Sequence, residues 1–476
     1  MKRIIIILIS ITINLVVFSH PWKPGHYVII DTDGGIDDMK AITMLLASPD
    51  VRVLAITVSS GTLNKDTTYL KVRSLLNSFY HEGVPVGINR NCNFKSPDFP
   101  VALKTEWGGK SVIHIEDAQD CVGLIQAILS FEKTKISFIC LGGMTTVNNV
   151  LTEIPVLKKQ LKEIIWSSEG VNYENGFNYK IDIPTAKKVL KGDIPVRIVR
   201  GLEKEVLYDK AMIKALAEIP TIYAERITEF FKSEVTKGHI YAYSGNDEMV
   251  PLFLHYPDLF QSEGKVIEIK SPTKNIQILR ENTLRILSGE TVVRNQVIKD
   301  IPTTPSFYAA DIEPFVADII KKHGMDEWTS GVIANELHRH LGVFAIIGVK
   351  MGIRAREYFN TGVDEFKVNS LAGAVPPLSC MNDGLQVSTG ATPGHGLLTV
   401  SSDSVTRPAG EFTYLNRKIR ITLKPEIAKK ISSELKEINF IYGLDSNIYW
   451  ELVRKNSVKY WLNLDRHDIF IIEEIH

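Results

Sequence analysis

The sequence is poor in the features that define several classes of protein. Only four cysteines occur among 476 residues, and none has CxxC spacing, which excludes a disulfide framework although a single bridge stays possible. Lys plus Arg and Asp plus Glu both number 55, so net charge favours neither nucleic acid nor an anionic membrane as a partner. The 44% of hydrophobic residues is enough for packed cores in two or three domains.

One apolar run stands out, and it lies at the N-terminus. Lys2 and Arg3 precede the run from Ile4 to Phe18, which is short for a membrane span and is followed by a small residue, Ser19. This pattern predicts a signal peptide over residues 1–19, and an uncleaved anchor is the alternative. We therefore expect an exported protein, periplasmic or secreted, without a membrane span after cleavage.

Carboxylates are concentrated in one short stretch. Tyr27–Ile30 reads as a buried strand, and apolar residues recur at helical spacing from Met39. Between them Asp31, Asp33, Asp37 and Asp38 surround a Gly-Gly turn. Four carboxylates repel one another, so a cation is expected among them, and Ca²⁺ suits oxygen ligands better than Zn²⁺. The alternative is an acidic cap on an ordinary helix.

Strand-like and helical segments alternate after this turn, which is typical of an α/β domain with a Rossmann-like, mostly parallel sheet and flanking helices. Ligands of such sheets bind at the carboxyl ends of the strands, where Asp31 and Asp33 lie. The predicted strands are Val51–Ser59, Ile136–Leu141, Ile164–Ser167, Val196–Val199, Lys265–Ile269 and Thr291–Ile298. A helix over Ile312–Lys322 is predicted to close the first domain, 26–322, and His323-Gly324 to lead into a C-terminal α+β domain, 325–476.

The Asp-Thr-Asp-x-Gly-x-Asp-Asp stretch of residues 31–38 resembles the N-terminal signature of the inosine-uridine nucleoside hydrolases. The resemblance implies a Ca²⁺ that binds the attacking water and the ribose hydroxyls, with Asp33 as general base and Asp37 facing the substrate. It implies hydrolysis of N-ribosyl bonds in small-molecule nucleosides. The calcium ligands that it implies are Asp31, Asp33, Asp38, Asp247 and the carbonyl of Leu141.

Four later segments match the same family in order, and three of them depart from it. The segments are Gly61-Thr62, Gly142–Thr145, Gly176–Asn178 with Asp182, and Asn246-Asp247 with Pro257. Thr62 replaces a ribose-binding Asn, and Gly176 replaces a Glu. Asn246 takes the catalytic position where many members carry the His that protonates the leaving base. Asn178 and Asn172 are the expected sugar contacts. A non-catalytic ribose-binding or scaffold protein that keeps the metal is the rival interpretation.

A second constellation lies in the C-terminal domain. His338-Arg339-His340-Leu341-Gly342 and the segment from Cys380 to Gly396 together resemble the E-type subunit family of formylmethanofuran dehydrogenase over residues 325–425. Arg339 replaces a glycine of that family, and Gly342 replaces a cysteine. The resemblance implies that His338, His340 and Cys380 hold a transition metal such as Zn²⁺. A vestigial site is the alternative, and so is a second domain that carries the chemistry itself.

The last fifty residues combine an amphipathic pattern from Ile427 to Ile438 with an aromatic segment that includes Tyr449, Trp450, Tyr460 and Trp461. Aromatic residues at this density usually build a core or an interface between copies of a chain. We therefore expect a homo-oligomer.

Overall fold

The structure is a computed structural model that describes residues 24–475, apart from 93, 110–114, 171, 292–296, 299 and 404. The predicted signal peptide and most of the predicted strand Thr291–Ile298 lie outside these described residues. Among the helices that are described, none has the length and apolar character needed to cross a membrane.

The described chain forms the following strands and helices. The strands are β1 His26–Thr32, β2 Val51–Val58, β3 Val86–Ile88, β4 Gln119–Asp120, β5 Ile136–Cys140, β6 Leu161–Ser168, β7 Val196–Arg200, β8 Phe260–Glu263, β9 Val266–Ile269, β10 Lys367–Ser370, β11 Leu398–Val400, β12 Ala409–Tyr414, β13 Arg417–Leu423 and β14 Phe470–Ile475. The helices are α1 Ile36–Ala47, α2 Lys65–Ser78, α3 Pro100–Lys104, α4 Cys121–Phe131, α5 Thr145–Glu153, α6 Leu157–Gln160, α7 Phe177–Ile181, α8 Ile183–Leu190, α9 Lys210–Ala217, α10 Ile222–Lys232, α11 Met249–His255, α12 Pro272–Leu287, α13 Val316–His338, α14 Val343–Phe359, α15 Met381–Thr389, α16 Pro425–Tyr442 and α17 Asn447–Asn463.

The first sheet has nine described strands in the order β4-β3-β2-β1-β5-β6-β7-β9-β8. Every ladder in it is parallel except the one between β8 and β9. Successive residues of β1 point to opposite faces, so Ile29 and Ile30 enter two separate apolar clusters, one on each side of the sheet. Burial on both faces explains why β2 is apolar along most of its length. The predicted α/β architecture is confirmed.

The C-terminal part is built on a second sheet of five described strands, ordered β11-β10-β12-β13-β14, with α14–α17 packed around it. This confirms the predicted α+β class. Helix α13 joins the two parts, and Gly324 interrupts it with φ +83°. The predicted helix Ile312–Lys322 overlaps α13 only from Val316, because Glu313–Phe315 form a 3-10 turn, and Ile319 shares an apolar cluster with Trp461 of the C-terminal part. The predicted domain boundary stays a prediction.

Polar contacts join the two parts. Arg52 of β2 donates to Glu365 at 2.5 Å, and Arg354 of α14 donates to Glu82 at 2.7 Å. His81, which is buried, forms hydrogen bonds with the backbone oxygen of Glu357 and with the hydroxyl of Tyr223. Because these groups are largely withdrawn from water, their pairing is needed to offset the desolvation of each.

Candidate active site

The site lies at the carboxyl ends of β2, β1, β5 and β6, which are consecutive strands of the sheet. The turn after β1 depends on glycine, because Gly34 has φ +86° and a Cβ there would lie 2.8 Å from the Thr68 hydroxyl. Gly35 then precedes α1, which places Asp37 and Asp38 in the first turn of that helix.

Three carboxylates converge at this edge. Asp37, Asp38 and Asp247 offer ligand oxygens that all lie within 4.8 Å of one another. Asp38 accepts hydrogen bonds from the Thr32 hydroxyl at 2.6 Å and from the backbone N–H of Asp33 at 3.0 Å. Burial raises the pKa of Asp38 to about 6, with Asp37 adding to the shift, and raises that of Asp247 well above its usual range. The cluster therefore carries excess negative charge in a buried setting.

Asp33 is buried beside this cluster, and no described residue makes a hydrogen bond of normal geometry to its carboxylate, although polar groups of Thr62 approach it. It fits between two chain segments because both present glycine. A Cβ on Gly142 would lie 2.8 Å from Asp33 Oδ2, and one on Gly61 would clash with the same oxygen. Burial raises the pKa of Asp33 well above its usual range, the Asp38 carboxylate raises it further, and polar groups of Thr62 partly offset the rise.

The structure does not bring Asp31 into the same group. Its Oδ1 accepts a hydrogen bond from Thr57 at 2.7 Å, and its Oδ2 accepts one from Ser59 at 3.1 Å. Thr57 lies opposite Asp31 in the β1–β2 ladder, so the register of the sheet fixes this contact. Burial raises the pKa of Asp31 to about 7, although both hydroxyls oppose the rise. Asp31 thus links β1 to β2 and to the residue that follows it through these two hydrogen bonds.

Backbone and amide groups line the site at the ends of β5 and β6. The carbonyl of Leu141 accepts a hydrogen bond from the Asn178 side chain at 2.7 Å, and the same amide donates to the Ser167 carbonyl at 3.4 Å. The Ser167 hydroxyl donates to Asp247 Oδ1 at 2.5 Å, which leaves Asp247 Oδ2 buried without a partner among the described residues. These contacts bring Leu141, Asn178 and Asp247 together.

The donor set fits a hard divalent cation. Asp33 and Asp247 present buried carboxylate oxygens to which no described residue donates a hydrogen bond, and the ligand groups that converge here are carboxylates and a backbone carbonyl. Buried carboxylates without a partner are unfavourable unless a positive charge lies between them. Oxygen-only sites of this kind suit Ca²⁺, which takes six to eight such ligands and accepts irregular geometry.

One buried cation lies close by, but it is already paired. Lys40 of α1 is fully buried, and its ammonium contacts Glu248 at 2.6 Å and the Ala242 carbonyl at 3.1 Å. Glu248 in turn accepts a hydrogen bond from the backbone N–H of Asn246 at 3.0 Å. The pair therefore fixes the loop that carries Asn246 and Asp247 against α1.

Two predicted substrate and catalytic residues, Asn246 and Asn172, have other contacts. The Asn246 side chain donates to Asp37 at 3.1 Å, and a carboxamide is too weak an acid to protonate a leaving base. Thr62 is half-buried beside Asp33. Asn172 is exposed and caps the turn at Tyr173–Asn175 by accepting from the backbone N–H of Glu174, which gives it a structural role in this state.

The sequence reasoning missed Glu169. Its carboxylate lies where a side chain at Gly176 would begin, since a Cβ there would be 2.9 Å from Glu169 Oε2. It accepts hydrogen bonds from the backbone N–H groups of Phe177 at 2.7 Å and Asn178 at 3.4 Å. Burial raises its pKa, and the Asp37 carboxylate adds to the rise. A Glu at the end of β6, close in sequence to a glycine in the expected Glu position, is the signal that could have found it.

The predicted second metal site is only partly assembled. His338 Nδ1 lies 2.7 Å from Asp383, and its Nε2 is buried without a partner among the described residues. The rings of His338 and His340 are 4.1 Å apart, and burial together with Asp383 raises the pKa of Cys380 to about 11. Within the described ranges, however, His338, His340 and Cys380 do not form a group with ligand atoms within 4.8 Å of one another.

Comparison with known proteins agrees with both sequence resemblances. Residues 28–316 match the family model described as inosine-uridine preferring nucleoside hydrolase, and residues 337–442 match that of FmdE, molybdenum formylmethanofuran dehydrogenase operon. The chain is 22% identical over 268 residues to an inosine-uridine preferring nucleoside hydrolase of Leishmania major, covering 51% of this chain and 83% of that protein. It is 25% identical over 277 residues to the pyrimidine-specific ribonucleoside hydrolase RihA of Salmonella schwarzengrund, covering 52% and 86%.

Among solved structures, the inosine-uridine preferring nucleoside hydrolase of Bacillus anthracis aligns with a TM-score of 0.43 and 15% identity, covering 55% of this chain and 99% of that one. The family match extends over more than half of the sequence and includes every carboxylate of the site described above. The chain therefore belongs to the inosine-uridine preferring nucleoside hydrolase family, and it carries an FmdE-like region after the hydrolase region.

Proposed function

We propose that this protein hydrolyses the N-ribosyl bond of nucleosides, with Ca²⁺ bound at the carboxyl edge of the first sheet. The observation that carries the proposal is the buried Asp33 carboxylate, which lies beside the Asp37, Asp38 and Asp247 cluster without a hydrogen-bond partner in the described structure. A buried carboxylate in a cleft with a raised pKa is typical of a general base.

Asp33, Asp38, Asp247 and the Leu141 carbonyl are the groups that would hold calcium, and Asp31 would support them from β1. Calcium bound there would supply positive charge that lowers the pKa of a water molecule and orients sugar hydroxyls. Asp33 accepts the proton of the attacking water. Asp37, Asn178 and Thr62 surround this position and offer contacts for ribose hydroxyls.

We infer that Glu169 takes the place of the side chain missing at Gly176. Its carboxylate enters the same volume from the end of β6 and fixes the start of α7, which carries Asn178. The departure at Gly176 is therefore compensated in space, which supports an intact ribose site.

The departure at Asn246 favours a second candidate, a ribose-binding protein without turnover. Asn246 cannot protonate a leaving base, and its side chain is engaged with Asp37. The candidate replacements that the sequence offers are Tyr241, Tyr243, Trp107 and His239. Trp107 is buried and stacks on Phe230, which indicates packing, whereas Tyr241 is half exposed beside the site loop.

The direct experiment is a panel of purine and pyrimidine nucleosides that starts with inosine and uridine, with calcium present and ribose release as readout. Release of ribose that is lost on chelation supports the hydrolase. Calcium-dependent binding of a nucleoside without any ribose release would establish the binding protein instead.

Export and the second metal remain part of the proposal. N-terminal sequencing of the protein recovered from its native host should begin near His20 if the predicted signal is removed. Zinc at His338, His340 and Cys380 is supported by Asp383, which contacts His338 as second-sphere carboxylates of metal-bound histidines do.

A further inference from the structure

A second group of ligand atoms lies at the opposite end of the first sheet. His26 begins β1, Asp50 immediately precedes β2, and His255 ends α11. Each offers one ligand atom, and these atoms all lie within 4.8 Å of one another. The three residues come from distant parts of the sequence, so the fold alone brings them together.

One oxygen of the Asp50 carboxylate is fixed by a backbone hydrogen bond. Asp50 Oδ1 accepts a hydrogen bond from the backbone N–H of Gly25 at 2.7 Å, and a Cβ on Gly25 would lie 3.0 Å from Asp50 Oδ2. Asp50 Oδ2 faces His26 Nε2 at 3.9 Å, which is too long for a hydrogen bond. The second oxygen of a fixed carboxylate thus points toward an imidazole without bonding to it.

The second imidazole also lacks a partner. His255 Nε2 is buried, and no described residue forms a hydrogen bond with it. The rings of His26 and His255 meet edge to face, with centroids 5.7 Å apart. Burial lowers the pKa of His255 to about 4, and burial also lowers that of His26, so both rings are neutral at pH 7 and keep a lone pair for a ligand bond.

The chemistry of the group selects a borderline metal. Two imidazoles and one carboxylate form a ligand set that suits Zn²⁺ and neighbouring transition metals rather than Ca²⁺. Two ligands of one tetrahedral Zn²⁺, each about 2.0–2.1 Å from the metal, lie roughly 3.3 Å apart. The 3.9 Å between His26 and Asp50 therefore requires only a small contraction.

We propose that His26, Asp50 and His255 bind a divalent transition-metal ion of the zinc class. β1 leads from His26 to Thr32, next to Asp33, and α11 leads from Met249, two residues after Asp247, to His255. The ion therefore joins the far ends of the two segments that carry the aspartates of the candidate active site, and it acts as a structural clamp on them.

The test uses the full untagged chain, stripped of transition metals and kept in calcium. Zinc is titrated by calorimetry and Co²⁺ by visible absorption. We expect a binding event that persists in the double variant His338→Gln/Cys380→Ser, which controls for the second predicted zinc site. The same event should weaken by more than about tenfold in His26→Gln and in His255→Gln.

Equal zinc affinity and an equal Co²⁺ spectrum in wild type, His26→Gln and His255→Gln would overturn the proposal, and so would the absence of any event in the His338→Gln/Cys380→Ser chain. If circular dichroism shows that His255→Gln does not fold, Asp50→Asn replaces it. An asparagine there keeps an oxygen for the Gly25 N–H, so the turn persists while the ligand charge is lost.

Discussion

Buried carboxylates occur in both parts of the molecule, but their surroundings differ. In the first part Asp33 and Asp247 have oxygens that no described residue neutralises. In the C-terminal part Glu327 is fully buried and contacts the Lys350 ammonium at 2.5 Å and the Arg466 guanidinium at 3.2 Å. Although burial opposes it, Arg466 together with His467 holds the pKa of Glu357 well below its usual range.

The difference separates a binding site from a structural network. A buried charge that is paired within the chain has its desolvation offset at the time of folding. A buried charge without a partner is offset only when something else binds, so it marks a place where ligand and stability are coupled. Two successive residues show both cases. Glu248 is paired with Lys40, whereas the preceding residue, Asp247, has a buried oxygen without a partner among the described residues.

The largest effect is expected from Asp33→Asn. Loss of the general base should lower the rate of ribose release by roughly 10²–10⁴-fold. The melting temperature without calcium should not fall, because the substitution removes an unpaired buried charge. Initial rates and thermal unfolding are measured in parallel, with the exposed Asp258→Asn as control. Full activity of Asp33→Asn would contradict the assignment of the base.

Lys350→Met tests the paired network. Removing the cation leaves Glu327 with Arg466 and, at 3.8 Å, the His323 imidazole, and breaking a buried pair typically lowers the free energy of unfolding by about 3–5 kcal/mol. Urea denaturation measures this, and the double variant Lys350→Met/Glu327→Leu should recover part of the loss. If Lys350→Met were as stable as wild type, the contrast between the two parts would not hold.

Calcium should stabilise the first part by mass action. At a concentration of about 100 times Kd, a ligand that binds only the native state adds about 2.7 kcal/mol to the free energy of unfolding. Asp38→Asn and Asp247→Asn should remove most of this gain, whereas Lys350→Met should keep it. A calcium response of wild-type size in both aspartate variants would exclude the site.

Acid should weaken the contact between the two parts. Burial lowers the pKa of His81 to about 4, below the usual 6.5, so the unfolded state takes up a proton first as the pH falls. The contribution of His81 to stability is therefore complete above about pH 6.5 and is lost toward pH 4. At about 1.36 kcal/mol per unit the loss is about 2 kcal/mol at pH 5. His81→Gln should have a flatter pH profile over this range; identical profiles would contradict the prediction.

The smallest effect is expected from Glu169→Gln. Glutamine keeps an acceptor for the Phe177 N–H but removes the charge beside Asn178, the proposed sugar contact. KM for a nucleoside should rise about tenfold, equivalent to about 1.4 kcal/mol, with a smaller change in kcat. The exposed Glu174→Gln is the matched control. An equal loss in kcat and kcat/KM would instead give Glu169 a role in the transition state.

Much of the fold followed from local patterns. The order of β1, α1 and β2 and the parallel sheet are predictable because buried strands, glycine turns and helical spacing lie within short windows. The structure places Asp33, Asp38, Leu141, Asn178 and Asp247 at one edge of the first sheet. Asp33 and Leu141 directly follow strands, and the other three stand in motifs matched along the sequence. Their positions therefore follow from the order of the elements and from these motifs.

The remaining features depend on contacts across the sequence. Asp31 is equivalent to Asp33 by spacing, but the β1–β2 register gives its oxygens to Thr57 and Ser59. Glu169 fills the volume of Gly176 only because a turn folds back over β6. His338 ends α13, and Arg339 follows it in the left-handed region, so the two histidines stand at a helix end. Such pairings become visible only when the chain is folded.

Helix α13 connects the two parts along the chain and also packs at their interface. It runs from the end of the hydrolase match to the start of the FmdE-like match, and its Trp328 stacks on Trp461 near the C-terminus with centroids 5.2 Å apart. A chain cut near residue 322 would divide this helix and would remove Ile312, Val316 and Ile319 from the apolar cluster that also contains Trp328 and Trp461, which would expose indole surface to water. Gene fission would therefore be costly, and the two parts are expected to be inherited, expressed and degraded as one unit.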